Sequence, residues 1–170
     1  MRPAVGAAAL LLVCCLATVR ADSCKRPPKE CGDGWRRIDM NRCAKFFKEL
    51  HTFSEAENRC HALESDLVSV HNIYELVNVL CLTIISKKPR RPIWIGAKLS
   101  SDQRQIQWTD GSLFDYAFWD KGEPNNVDNM EECIEMSVKS KSKEKAGRGY
   151  GRWKNAKCSK ENYFVCAKEM

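Results

Sequence analysis

The chain contains no Cys-x-x-Cys pair, no His-x-x-x-His pair and only three histidines, His51, His61 and His71, in 170 residues. Structural zinc sites use such close ligand spacings, so zinc does not account for its cysteines. The three histidines lie near helical segments, with no nucleophile or acid partner evident beside them, which argues against catalysis. No Asn-x-Ser/Thr acceptor is present, so no N-glycan is expected. There is no internal repeat. No apolar run reaches the ~20 residues that a membrane-spanning helix needs. The Ala7 to Val19 stretch follows the basic Arg2 and ends in Val19-Arg20-Ala21, the layout of a secretory leader. The expected organisation is a signal peptide over 1–21, a polar lead-in over 22–30 and one globular domain over 31–170. The protein is therefore expected to be secreted, with no membrane span.

Past the leader there are eight cysteines: Cys24, Cys31, Cys43, Cys60, Cys81, Cys133, Cys158 and Cys166. An even count in an exported chain reads as a disulfide framework. The formal charge of +6 includes Arg2 and Arg20, leaving +4 on the mature chain. The cations cluster at Lys87 to Arg91 and again over Lys139–Lys157. Clustered cations attract anionic partners. Nucleic acid is not an expected partner of an exported protein.

Cys31-Gly-Asp-Gly-Trp35 reads as a turn feeding a strand, with Cys43 to Phe47 as its partner. Ser54-Glu-Ala-Glu57 has the form of a capping box, in which Ser54 takes the Glu57 N–H and Glu57 reaches back. A helix to about Leu63 follows. Leu67 to Val70 is expected as a short strand. Asn72-Ile-Tyr-Glu75 opens a second helix with the apolar stripe Ile73, Leu76, Val77 and Leu80. Ile93 to Ala97 and Gln105 to Trp108 read as strands. Cys133 to Val138 alternates apolar and polar residues, as a half-buried strand does. Lys139 to Arg152 is a long basic insert expected to be exposed.

The most informative stretch is Trp119-Asp-Lys-Gly-Glu-Pro-Asn-Asn126 with Glu131-Glu-Cys133 after it. Glu123, Asn125 and Glu131 place three hard oxygen donors within nine residues. Calcium favours such clusters of carboxylate and amide oxygen.

In order along the chain, Cys31-Gly-Asp-Gly-Trp35, Phe53-Ser-Glu-Ala56 with Cys60, Leu67 to Val70, Trp94-Ile-Gly96, Trp108-Thr-Asp-Gly111, Phe118-Trp119, Glu123-Pro-Asn125, Glu131-Glu-Cys133, Trp153 with Cys158, and Phe164-Val-Cys166 resemble the C-type lectin domain family in its Glu-Pro-Asn form. The resemblance covers Cys31 to Cys166. It implies an α+β C-type lectin-like fold, with two helices flanking a two-part antiparallel sheet, a long loop region and a cis Pro124. It implies the disulfides Cys60–Cys166, Cys133–Cys158 and Cys31–Cys43. Cys24 and Cys81 are left to pair with each other or to bridge to a second chain.

The resemblance also implies glycan binding through a calcium ion held by Glu123, Asn125, Glu131 and a later Asn-Asp pair, with mannose-type hydroxyls as ligand. Here that pair reads Lys154-Asn155. Replacing a carboxylate and adding an ammonium makes the ligand set more positive by two charges, which lowers calcium affinity. Lys154 then either sits between Glu123 and Glu131 in the cation's place or reaches out to solvent. An auxiliary calcium site is not expected, since Ala97 to Ser101 lacks the carboxylate for one. Two functions follow: a glycan-binding protein using the Glu-Pro-Asn loop with a weakened or lost calcium site, or a calcium-independent module that binds a protein or an anionic surface (a sulphated glycan or bacterial polyanion) through the basic insert.

Overall fold

The computed structural model describes residues 24, 28–86, 91–100, 105–125, 132–138 and 149–170. Most of the insert, Glu131 and the Lys87 to Arg90 run lie outside them. Strands β1 (Glu30–Gly32), β2 (Trp35–Arg37) and β3 (Arg42–His51) precede helix α1 (Phe53–His61). Then come β4 (Asp66–Leu67), α2 (Ile73–Ile85), β5 (Ile93–Leu99), β6 (Ile106–Trp108), β7 (Cys133–Met136), β8 (Trp153–Ala156) and β9 (Asn162–Glu169). The main sheet path runs β1-β2-β3-β9-β5-β7-β8. Its two antiparallel parts, the expected architecture, are joined into one mixed sheet by a parallel contact, Ile93↔Tyr163 and Trp94↔Phe164.

Alternation along β9 divides the core. Phe164 and Cys166 face the cluster that α1 covers, with Phe53, Ala56 and Trp94. Val165 and Ala167 face the cluster that α2 covers, with Leu76, Leu80, Ile134 and Trp153. Successive strand residues point to opposite faces, so one strand serves both cores.

All four disulfides form within the chain: Cys24–Cys81, Cys31–Cys43, Cys60–Cys166 and Cys133–Cys158. The Cys24–Cys81 pairing uses both sulfurs that sequence left open to an intermolecular bridge, so a disulfide-linked dimer through either is not supported.

Local details differ from the sequence reading in three places. Helix α1 is capped by Thr52, not Ser54. The Thr52 hydroxyl accepts from Glu55 N, and the Glu55 carboxylate accepts from Thr52 N at 2.9 Å. Both spacings satisfy a capping box. Burial of Phe53 edge-on to Trp94, 5.6 Å between ring centroids, draws the chain into its first turn two residues early. The segment after Leu67 leaves the strand ladder. Val68 donates to Val165 O at 2.9 Å while its own carbonyl accepts from Gly96 N at 2.9 Å, so it bridges β9 and β5. Finally, β7 is buried on both faces. It lies between β5 and β8, and its one charged residue, Glu135, is fully enclosed. The second helix starts at Asn72 as the sequence indicates, its side chain accepting from Tyr74 N and Glu75 N.

Candidate functional site

The long loop is stitched to β8 by its backbone. Trp153 N donates to Phe118 O at 2.9 Å and Asp120 N to Trp153 O at 2.8 Å. The Trp153 ring anchors the same segment from below, with Trp108, Tyr116 and Trp119 edge-on at 5.6, 5.8 and 5.8 Å. Arg152 lies 3.9 Å above the Phe118 ring and donates to Trp119 O. Burial raises the Tyr116 hydroxyl pKa above its ordinary value, partly offset by the Arg152 charge. These contacts set the loop at one height over β8. Gly122, at φ +82°, turns the chain, and the Glu123–Pro124 bond is cis, as the resemblance implies.

Three of the predicted site residues meet here. Asn125 N donates to Asn155 Oδ1 at 3.0 Å and to Glu123 Oε2 at 3.3 Å, and Asn125 Nδ2 donates to Glu123 Oε1 at 3.2 Å. Asn155 is 2% exposed, held by β8, while Asn125 and Glu123 lie on the loop above it. Glu131 lies outside the described residues.

Lys154 is next to Asn155 on β8, directly across from Glu135 on β7. Its ammonium is 3.1 Å from Glu135 Oε1, a charge contact outside hydrogen-bond geometry. Lys160 Nζ and Asn162 Nδ2 each donate to Glu135 Oε2 at 2.6 Å. Glu135 was passed over in sequence because an alternating strand places its polar member in water. The residues that hold it are Lys154, its cross-strand partner on β8, and Lys160 and Asn162 from the β8–β9 connection and the start of β9.

The described donor set holds one carboxylate and two amides, and both Glu123 oxygens and Asn155 Oδ1 accept hydrogen bonds from Asn125. No group of three or more His, Cys, Asp or Glu side chains converges to hold a metal among the described residues. Carboxylate and amide oxygens are the ligand types that a hard cation takes.

A second polar cluster lies across the fold in an open cleft of about 840 Å³. His71 Nδ1 is 2.8 Å from Asp115 Oδ1, and His71 Nε2 is 3.2 Å from Ser69 Oγ. His71 therefore has the acid partner that sequence reasoning did not see. The trio has the composition of a hydrolytic triad but not its proton arrangement. Ser69 is fully buried, its hydroxyl donates to Asp110, and Arg42 donates to it at 2.6 Å. A serine so enclosed cannot meet a substrate. Burial opposes the Asp110 charge, but hydrogen bonds from Ser112 and Ser69 and the Arg42 charge outweigh it and lower the pKa. The cluster ties β3, α2 and the Trp108-Thr-Asp-Gly111 turn together.

The family model for the lectin C-type domain matches residues 49–168. The C-type isolectin Sp-CL4 of Scorpaena plumieri is 35% identical over 148 residues, covering 86% of this chain and 95% of that protein. The galactose-specific lectin nattectin of Thalassophryne nattereri is 28% identical over 160 residues, 94% of each. Among solved structures, the C-type lectin CEL-I of Cucumaria echinata superposes with a TM-score of 0.71 at 26% identity, covering 81% of this chain and 96% of that one.

Proposed function

The chain belongs to the C-type lectin domain family, and on that premise we propose that it is a secreted, non-enzymatic lectin that recognises glycans through the Glu123-Pro-Asn125 loop with a cation site weaker than its family pattern implies. The observation that carries this reading is the convergence of Glu123, Asn125 and Asn155 in one hydrogen-bonded group. That group presents a carboxylate acceptor and an amide donor side by side, the pairing needed to bind adjacent hydroxyls of a sugar. Carbohydrate binding by a relative named as galactose-specific supports the ligand class. The Glu-Pro-Asn order favours mannose-type hydroxyls. Export is supported by the leader-like segment and by the four disulfides. No helix among the described residues is long and apolar enough to cross a membrane.

Glu123, Asn125, Asn155 and Glu131 would hold the cation. A bound calcium would supply a positive centre to which sugar hydroxyls add as ligands. Glu123 and Asn125 orient those hydroxyls, accepting from one and donating to the next. Asn155 holds the Asn125 backbone at the height where this pairing is presented.

Glycan-array binding by the mature protein tests the reading. Signal on mannose-type sugars is expected, with Asn125→Ala reducing it at least tenfold. Chelator is expected to weaken it in the wild type. Binding unchanged by Asn125→Ala, or confined to sulphated sugars, would overturn it.

A further inference from the structure

We infer that the rim of the α1-side face of strands β2, β3 and β9, where cationic side chains emerge beyond the core, is a second binding surface, built for a sulphated polysaccharide. It is separate from the Glu-Pro-Asn loop. The sheet order places β9, β5 and β7 between β3 and the β8 strand that carries Asn155.

The surface follows from register. Arg37 lies opposite Cys43, and Cys43 lies opposite Lys168. Residues directly opposite one another share a face, so Arg37 and Lys168 flank Cys43 across three strands. With strands about 4.8 Å apart, their Cα atoms are ~10 Å apart. Lys45 is two residues beyond Cys43 on the same face, a further ~7 Å along the strand. Arg59 of α1 borders the group, 5.6 Å over the Phe47 ring. Three strand cations and one from α1 thus border one side of the sheet.

Two of the ammonium groups lie against aromatic rings. The Lys168 ammonium is 4.7 Å from the Trp35 ring centroid, and the Lys45 ammonium is 5.7 Å from that of Phe47. Lys45 also donates to the Asp33 carbonyl at 2.7 Å, a partner that orients it without cancelling its charge. Cys43, beneath the group, is 2% exposed even though it lies on an edge-proximal strand. A cation within about 6 Å of a ring centroid is attracted by the ring quadrupole, which orients the head without neutralising it. Held in place by rings and backbone, these heads lose less rotamer freedom on binding than free lysines do.

Charge compensation is uneven. Among the described residues, none of Arg37, Lys45 and Lys168 forms an ion pair, and Arg59 has only Glu49, at 3.8 Å. Arg36, which faces the other way, is paired with Glu30 at 2.6 Å. Spacings of ~7–10 Å are comparable to the Debye length of about 8 Å at physiological salt, so the fields of neighbouring cations add. A single anion cannot meet cations so far apart. A chain of regularly spaced sulphates can. Trp35 and Phe47 are themselves buried, at 6% and 7% exposure, so the rings act as supports for the cations and the contact offered to a polysaccharide is the row of charges.

The test is titration of a heparin-derived oligosaccharide into the mature protein at 0.15 M and 0.5 M salt. The wild type is expected to bind at the lower salt and to weaken sharply at the higher. The Arg37→Gln/Lys45→Gln/Lys168→Gln variant is expected to bind about tenfold more weakly, with its melting temperature checked in parallel. The Lys45→Arg/Lys168→Arg variant, which keeps charge and ring contact, is expected to retain wild-type binding. Asn125→Ala, which addresses the loop, is expected to leave it unchanged. Full affinity in the triple Gln variant would overturn the proposal. So would loss confined to Lys139→Gln/Lys141→Gln/Lys143→Gln in the insert, or binding to anionic lipid vesicles with none to the oligosaccharide.

Discussion

Removing both ammonium partners of Glu135, in a Lys154→Ala/Lys160→Ala variant, is expected to destabilise the protein by about 3–5 kcal/mol, the range for a buried charge left without its partner. Glu135 is fully buried in the middle of β7, with one oxygen against Lys154 and the other against Lys160 and Asn162. After the double change the carboxylate retains only the Asn162 amide. Each single variant is expected to cost much less, because the remaining lysine still neutralises the charge and is itself partly in water. The effect is therefore strongly non-additive, as expected for residues that share one partner. Urea unfolding of the two singles and the double measures it. If the double loss merely equals the sum of two small single losses, then water reaches Glu135 and the buried-charge account fails. Glu135→Gln in the double background gives the converse check. It removes the charge that the lysines serve, and is expected to recover part of the loss.

The second large effect is at Gly96. A Cβ added there would lie 2.4 Å from Leu67 O and 2.9 Å from Leu67 C, both backbone atoms that no rotamer change can move. Thr109 Oγ1 is 3.0 Å away on the other side. Gly96 N donates to Val68 O at 2.9 Å, and Gly96 O accepts from Thr109 N at 2.7 Å. Accommodating a methyl group means separating β5 from the Leu67–Val68 segment, stretching the Gly96–Val68 hydrogen bond, and pressing on the Thr109 side. Overpacking a filled core costs about 1–3 kcal/mol and occasionally more. Because the obstruction is backbone, Gly96→Ala is expected at the upper end, about 3 kcal/mol. Chemical denaturation of the purified variant measures this. A loss under about 1 kcal/mol would show that the two segments separate easily, contrary to the packing described.

How much of this was legible in the sequence depends on the kind of signal. Trp94-Ile-Gly96 and Phe164-Val-Cys166 announced the central strands, because bulky β-branched and aromatic runs have few other places to go. Asn72 announced the start of α2 by local chemistry alone. The cap of α1 was ambiguous by two residues, since Thr52 and Ser54 each precede a glutamate at the right spacing. Only the packing of Phe53 against Trp94 selects one. Glu123 and Asn125 were found because their donor chemistry is concentrated in one short motif, and Asn155 because the family resemblance places an Asn-Asp pair there. Glu135 and Lys160 were missed because they meet where the β8–β9 connection passes β7, 25 residues away in sequence, which no local pattern encodes. The cationic face was missed for the same reason. Arg37, Lys45 and Lys168 are scattered in sequence and are gathered only by the register of β2, β3 and β9.

The most direct test of the central claim, that Lys154-Asn155 leaves the loop in place but weakens its cation site, is thermal unfolding with 10 mM calcium and with chelator. The wild type is compared with Lys154→Asn/Asn155→Asp. The family pattern restored in the variant should bring a dissociation constant of about 10⁻⁴ M, within the range of extracellular calcium modules. At 100 times that constant, binding stabilises by about 2.7 kcal/mol, which raises the melting temperature by roughly 5–10 °C for a chain of this size. The account predicts that calcium-dependent rise in the variant and a rise of no more than about 2 °C in the wild type, as for a site of ~10 mM. An equal, large rise in both proteins would contradict it, as would no gain in the variant.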